Sequence, residues 1–304
     1  MKVVVMGAGA LGSLVGGLLS RQHDVTLVGR KEHLEVVRAA GLRITGATQL
    51  VARPGVALSG AEASTPDVLM LTTKAYDTQR ALRDARPLLG PHTAVLSLQN
   101  GLGNLEHVRA AAGDVLALGG VTTHGVTFVE PGHVHHAGVG YTKVGGVSPA
   151  ALPLARELAE ALTGAGLATD ATDRIEAEIW AKAIVNAGIN PLTAITGLPN
   201  GQLLEQPGLK ALLEAVVAEA RDAALAAGVA LPEGDLVERA RMVARMTAPN
   251  KSSMLQDVER GRRTEIDSLC GAIVAAARGA GTSAPLNAAL LALVRGIEST
   301  TRVG

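Results

Sequence analysis

Residues 2–31 read KVVVMGAGALGSLVGGLLSRQHDVTLVGRK, and the alternation inside this stretch decides the fold. Lys2 to Met6 is a short β-branched run, which predicts a buried strand. Gly7, Gly9 and Gly12 follow at once in the spacing G-x-G-x-x-G, and the apolar segment after them has the character of a helix. A second strand, residues 24–30, arrives at the distance that a strand–helix–strand unit requires. In such a unit the first glycine permits a tight turn, the second lets the backbone approach a pyrophosphate, and the third lets helix and strand pack closely. Free amides at the helix start carry a partial positive charge that suits phosphate. The expected dinucleotide contacts are therefore Gly7, Ala8, Gly9, Ala10, Leu11 and Gly12.

The end of the second strand selects between dinucleotides. A site for NAD places an Asp or Glu there to accept from the ribose hydroxyls, whereas this chain has Gly29, Arg30 and Lys31. No carboxylate repels a 2′-phosphate, Arg30 offers its planar fork, and Lys31 adds a point charge. NADPH is the expected cofactor. The plain alternative makes Arg30 and Lys31 a solvated helix start.

Val3 to Ser20 carries no charge, so a membrane anchor has to be weighed. The run is short for a span of about 20 apolar residues, and five glycines interrupt it. No membrane association is expected. The chain has 304 residues, 47% of them hydrophobic and 18% charged, enough for two domains with sizeable cores. Its 28 basic and 28 acidic residues form no basic run, which argues against nucleic acid and anionic membranes and leaves small molecules as partners. A single cysteine, Cys270, reads as core and fits a reducing, cytoplasmic compartment.

Downstream, DVLMLTTKAYDTQRAL and TAVLSLQNGLGN each resemble a buried strand running into a turn, continuing an α/β alternation with a parallel sheet. Lys74 and Asn100 fall just past these strand ends, where open parallel sheets bind ligands. Read singly, Lys74 is also compatible with a surface residue and Asn100 with a turn former beside Gly101. Residues 119–146 suggest short antiparallel strands turning at Pro131-Gly132. Their His133, His135 and His136 lack a cysteine or paired acid, so no metal is expected, and a His-x-His pair with two side chains on one exposed strand face is the simpler reading.

From about residue 172 the pattern becomes Ala/Leu-rich at helical spacing. The expected organisation is a Rossmann-type dinucleotide domain over 1–171 and an all-helical domain over 172–304, whose apolar surplus is compatible with a homodimer. Within WAKAIVNAGINPLTA, Lys182, Asn186 and Asn190 recur every four residues and share one helix face. That face suits a polar ligand that receives a proton, since burial lowers a lysine pKa and makes it a better acid. Spacing alone equally allows Lys182 to snorkel to solvent while the asparagines satisfy a loop, because Pro191 is expected to distort or end the helix. In NKSSMLQDVERGRRTEID, Ser253 and Gln256 match a capping box for a helix expected to carry Glu265. Capping and ligand binding can coexist at Ser253.

The motifs GAGALGS, TTKAYDT, LQNGLGN, WAKAIVNAGINPLTAITGLPNGQL, SSMLQDVERGRRTEID and TSAPLN, spread over nearly the whole chain, resemble those of the ketopantoate reductases in order and rough spacing. The resemblance implies NADPH-dependent reduction of 2-dehydropantoate, with Lys182 as general acid and Glu265 holding the substrate oxygen. It further implies that Asn186, Asn190 and Ser253 bind substrate, with Lys74 and Asn100 between cofactor and substrate. A relative acting on another 2-oxo acid would share this scaffold. A binding-only NADPH sensor would keep the glycine loop and Arg30 but has no need of Lys182, Asn186, Asn190 and Glu265.

Overall fold

The computed structural model describes residues 1–112 and 115–301. The chain forms two compact units: Met1–Gln99 with Asn104–Glu176, and Asn100–Gly103 with the chain from Ala177 onward. The second unit thus begins a few residues beyond the join expected at 171/172, and it takes in one short segment from far upstream.

In the first unit the strands are β1 (Lys2–Met6), β2 (Asp24–Val28), β3 (Leu42–Gly46), β4 (Leu50–Ala52), β5 (Gly55–Ala57), β6 (Val68–Leu71), β7 (Ala94–Ser97), β8 (Leu116–Thr122), β9 (Gly125–Glu130), β10 (His133–Gly138), β11 (Thr142–Gly146) and β12 (Thr169–Ala171). The main sheet runs β12-β11-β8-β7-β6-β1-β2-β5. Its ladders are parallel except for β8 with β11. β6 and β7 are buried along their whole length, which is why they read as unbroken apolar runs. Helices α1 (Ala10–Leu19), α2 (Lys31–Ala40), α3 (Thr78–Ala85), α4 (Asn104–Ala112) and α5 (Leu152–Gly164) complete the α/β arrangement. Strand order reverses between β1 and β6, and a ligand crevice opens beyond the carboxyl ends of strands at such a point.

A smaller sheet runs β4-β3-β10-β9. β9 and β10 form the expected antiparallel hairpin, turning at Gly132 with φ +75°, a backbone state that favours glycine. β10 also pairs in parallel with β3, a long-range ladder with no local signature.

The second unit is helical: α6 (Ile175–Thr196), α7 (Gln202–Glu205), α8 (Pro207–Ala226), α9 (Leu236–Met246), α10 (Ser253–Glu259), α11 (Ala272–Gly279) and α12 (Pro285–Thr301). Leu213, Val217, Ala220, Ala240 and Ile273 anchor its core. Pro191 does not end α6, contrary to one expectation from sequence; it lies inside the helix. Proline forfeits the bond to the Ala187 carbonyl, at a cost of about 3 kcal/mol. Burial of Leu192 and Ala194 on the following turn offsets that loss, and the Thr193 and Thr196 hydroxyls donate to the Asn190 and Leu192 carbonyls. Among the described residues no helix is long and apolar enough to cross a membrane.

Candidate active site

The glycine loop joins β1 to α1 with the geometry its spacing implies. Gly7 has φ +110°, and a Cβ there would lie 2.6 Å from the Thr73 amide nitrogen. A Cβ on Gly12 would collide with the Gly7 carbonyl and the Thr72 hydroxyl. Gly9 differs: its Cβ would meet only the Gly7 carbonyl, at 3.9 Å, so the loop is open on that side. Gly9 is also the cap residue of α1 and offers the first amides no side-chain acceptor. An open cradle over unpaired helix amides fits a pyrophosphate. Thr72, at the end of β6, braces the loop by donating to the Gly7 carbonyl at 2.9 Å. The glycine motif carries no signal for that threonine.

Arg30 stands at the start of α2, exposed and in extended backbone conformation. A Cβ on Gly29 would lie 2.8 Å from the Ala8 Cβ, so glycine there permits the close approach of β2 to the loop and leaves no carboxylate. Lys31 makes an exposed pair with Glu35 at 3.7 Å. Lys74 follows β6 and precedes a short 3₁₀ turn, Ala75–Asp77.

The polar stripe on α6 appears directly in the burial pattern. From Ala181 to Asn190 every residue is buried except Lys182, Asn186 and Asn190. Asn186 and Asn190 line one pocket with Asn100, Ser253 and Glu265, and Gly101, Met254, Asp257 and Leu269 complete its wall. Lys182 joins this group through Asn100, whose Oδ1 accepts from the ammonium Nζ at 2.7 Å. Burial lowers the Lys182 pKa from 10.5 to about 8, and the nearby Glu265 charge opposes that fall. A lysine so placed is charged at neutral pH yet releases its proton readily.

Asn100 reaches the helical unit because its neighbours dock there. The Leu102 amide donates to the Ser268 carbonyl at 2.7 Å, and Gly101, with φ +84°, packs so closely on Ser268 that any Cβ would clash. Sequence placed Asn100 past a strand end but contained nothing to bring it to Lys182.

Two readings of the SSMLQDVERGRRTEID segment are corrected. Ser252, not Ser253, caps α10, accepting from the Leu255 amide at 3.1 Å, and the Gln256 side chain donates to the Lys251 carbonyl instead of closing a capping box. The Ser253 hydroxyl is thereby left at the pocket. Nor does α10 carry Glu265. The helix stops at Gly261, φ +61°, where the Arg262 amide bonds the Asp257 carbonyl and the Gly261 amide bonds that of Val258. Glu265 instead sits in the irregular stretch before the π-helical turn Asp267–Gly271. The preceding Thr264 amide donates to Glu298 of α12 at 2.6 Å, and the Ile266 amide to the Thr264 hydroxyl at 3.2 Å, so the backbone is held on both sides of Glu265.

A buried hydroxyl relay ties the two halves of the pocket. Thr193 donates to the Asn190 carbonyl, which has no proton to give, so in the 2.7 Å Ser252–Thr193 contact Ser252 must be the donor. Ser252 in turn accepts from the Leu255 amide. The asparagine stripe of α6 and the start of α10 are thus held in register. Ser252, Thr193 and Asp257 are buried polar residues that spacing arguments overlooked.

The histidines on β10 are occupied by other partners. His133 and His135 bond the Thr45 hydroxyl, and His136 bonds Thr48 and His124. Among the described residues no three His, Cys, Asp or Glu side chains gather to hold a metal.

Residues 3–149 match the family model described as Ketopantoate reductase PanE/ApbA, and residues 174–298 match the model of its C terminal part. The chain belongs to the ketopantoate reductase family. It is 42% identical to a 2-dehydropantoate 2-reductase of Archaeoglobus fulgidus, with 98% of each chain covered. A PanE/ApbA family ketopantoate reductase of Ralstonia eutropha JMP134 superposes with TM-score 0.91 at 35% identity, covering 99% of this chain and all of that one. D-mandelate dehydrogenase, solved with NADH and anilino(oxo)acetate, superposes with TM-score 0.93 at 26% identity over 99% of both chains. This chain thus shares its scaffold with both of these solved structures.

Proposed function

We propose that the protein is an NADPH-dependent 2-dehydropantoate 2-reductase, converting ketopantoate to pantoate in the route to pantothenate. The observation that carries this reading is a lysine with a pKa near 8, bonded to Asn100 beside a pocket of amides, a serine hydroxyl and Glu265. The first unit would hold the dinucleotide, with the glycine loop and the start of α1 receiving the pyrophosphate and Arg30, supported by Lys31, receiving the 2′-phosphate. When bound, the reduced nicotinamide supplies the hydride to the carbonyl carbon. Negative charge then builds on the carbonyl oxygen, where Lys182 stabilises it and donates the proton. Asn100 holds the Lys182 amine in place. Asn186, Asn190 and Ser253 would orient the 2-oxo acid, the Glu265 carboxylate would keep Lys182 protonated and accept from the hydroxyl once the reacting oxygen has taken the proton, and Lys74 would serve the nicotinamide side. The cytoplasm is the compartment this reading favours, in keeping with one buried cysteine whose thiol is pushed up to about 12 by burial.

The D-mandelate dehydrogenase likeness favours one second reading, reduction of a different 2-oxo acid on the same machinery. The deciding experiment is NADPH oxidation by the purified protein with ketopantoate and, in parallel, with an aryl 2-oxo acid. Fast oxidation with ketopantoate alone is the expected result; a preference for the aryl acid would transfer the assignment to the second reading.

A further inference from the structure

We infer that Phe128 is a positioning residue for the Arg30 guanidinium and thereby sets part of the preference for a 2′-phosphorylated dinucleotide; this rests on the reading of Arg30 given above. Phe128 is the only phenylalanine in the chain, and it lies on β9, outside the strand–helix–strand unit that holds the glycine loop. The Arg30 Cζ lies 5.7 Å from its ring centroid, and the His33 ring packs against it at 5.0 Å and 52°. Arg30 and His33 are three residues apart at the start of α2, so both reach the same aromatic side chain from one side of the helix.

An exposed arginine ordinarily samples many rotamers, and binding a phosphate must order it. A ring face that holds the flat side of the guanidinium reduces that cost in advance and leaves the N–H edge free for phosphate oxygens. The shelf is itself fixed. The Gly132 amide at the β9–β10 turn donates to His33 Nδ1 at 2.9 Å, so the imidazole proton is on Nε2, which donates to the buried Ser13 hydroxyl of α1 at 3.0 Å. This chain of bonds links α1, α2 and the hairpin and holds Phe128 against both. Burial, followed by the Arg30 charge, lowers the His33 pKa, so a neutral ring rather than a second cation stands beside the guanidinium. The hairpin, which has no part in the glycine motif, acquires a role in nucleotide selection.

The test compares dissociation constants of NADPH and NADH, by nicotinamide fluorescence without substrate, in the wild type, Phe128→Leu, Phe128→Tyr, Arg30→Ala and the double variant Arg30→Ala/Phe128→Leu. Arg30→Ala is expected to lower the NADPH preference roughly 10- to 150-fold, the range for hydrogen bonds to a charged group. Phe128→Leu should lower it about two- to fivefold, Phe128→Tyr should retain it, and the leucine change should do nothing further once Arg30 is alanine. If Phe128→Leu folds poorly, Phe128→Met reads the same ratio at closer volume. An unchanged ratio in the leucine or methionine variant, or equal loss of NADPH and NADH affinity, overturns the inference while leaving the Arg30 reading intact. An unchanged ratio in Arg30→Ala overturns the Arg30 reading and the inference with it.

Discussion

The glycine loop and the α6 pocket are built by different means. The loop is made of backbone: glycines without Cβ atoms, helix amides, and a turn at φ +110° that few other residues would adopt. The pocket is lined by side chains drawn from segments around residues 100, 186 and 253–265, held by hydroxyl and amide bonds that no local pattern announces. A site made of backbone is written in consecutive residues. A site made of side chains depends on packing elsewhere in the chain.

The contrast is tested most strongly on the pocket side. Lys182→Met should reduce turnover about a hundred- to ten-thousand-fold with little change in NADPH affinity, since it removes a proton donor and not a nucleotide contact. A loss under tenfold in steady-state assays would remove Lys182 from that role. The same variant should be more stable. Below about pH 8 both folded and unfolded chains hold the proton, and the native state bears a half-buried, partly desolvated charge. Between about 8 and 10.5 the unfolded chain holds more of it, so native stability rises with pH. Removing the charge at pH 7 should add up to about 3 kcal/mol, less what Asn100 loses as its partner. A thermal melt showing destabilisation would contradict this.

On the backbone side, Gly12→Ala should weaken NADPH binding roughly 5- to 150-fold, because its methyl has no room against the Gly7 carbonyl and the loop must shift by an amount worth about 1–3 kcal/mol. Fluorescence titration reads that loss, and ketopantoate binding should stay intact. The smallest effect belongs to the pocket's framework. Ser252→Ala removes the α10 cap and the link to Thr193, and should lower stability by about 1–2 kcal/mol while raising the KM for the 2-oxo acid more than that for NADPH. A change confined to the melting curve would make the relay structural only.

This difference also explains how much was legible before the structure. The glycine loop and the stripe at Lys182, Asn186 and Asn190 follow from spacings of two to four residues, where covalent geometry dictates neighbours. The β10–β3 ladder did not, being a pairing across some 90 residues. At Ser252 and Ser253 only the second fits the capping-box spacing, with Gln256 three residues on, yet the buried bond to Thr193 and the Leu255 amide make the first the cap. A continuous helix through Glu265 neglects Gly261, whose positive φ closes the Schellman turn that ends α10.

Desolvation of Lys182, with Glu265 raising its pKa, should make it an acid near neutrality, and the pH dependence of kcat/KM for ketopantoate reduction reads this. The proton donor must be charged, so the rate should be level below about pH 8 and fall tenfold per unit above it. In Glu265→Gln, with the opposing charge gone, the same alkaline limb should move to lower pH. A profile level to pH 10, or a limb that stays in place or rises in Glu265→Gln, would contradict the account.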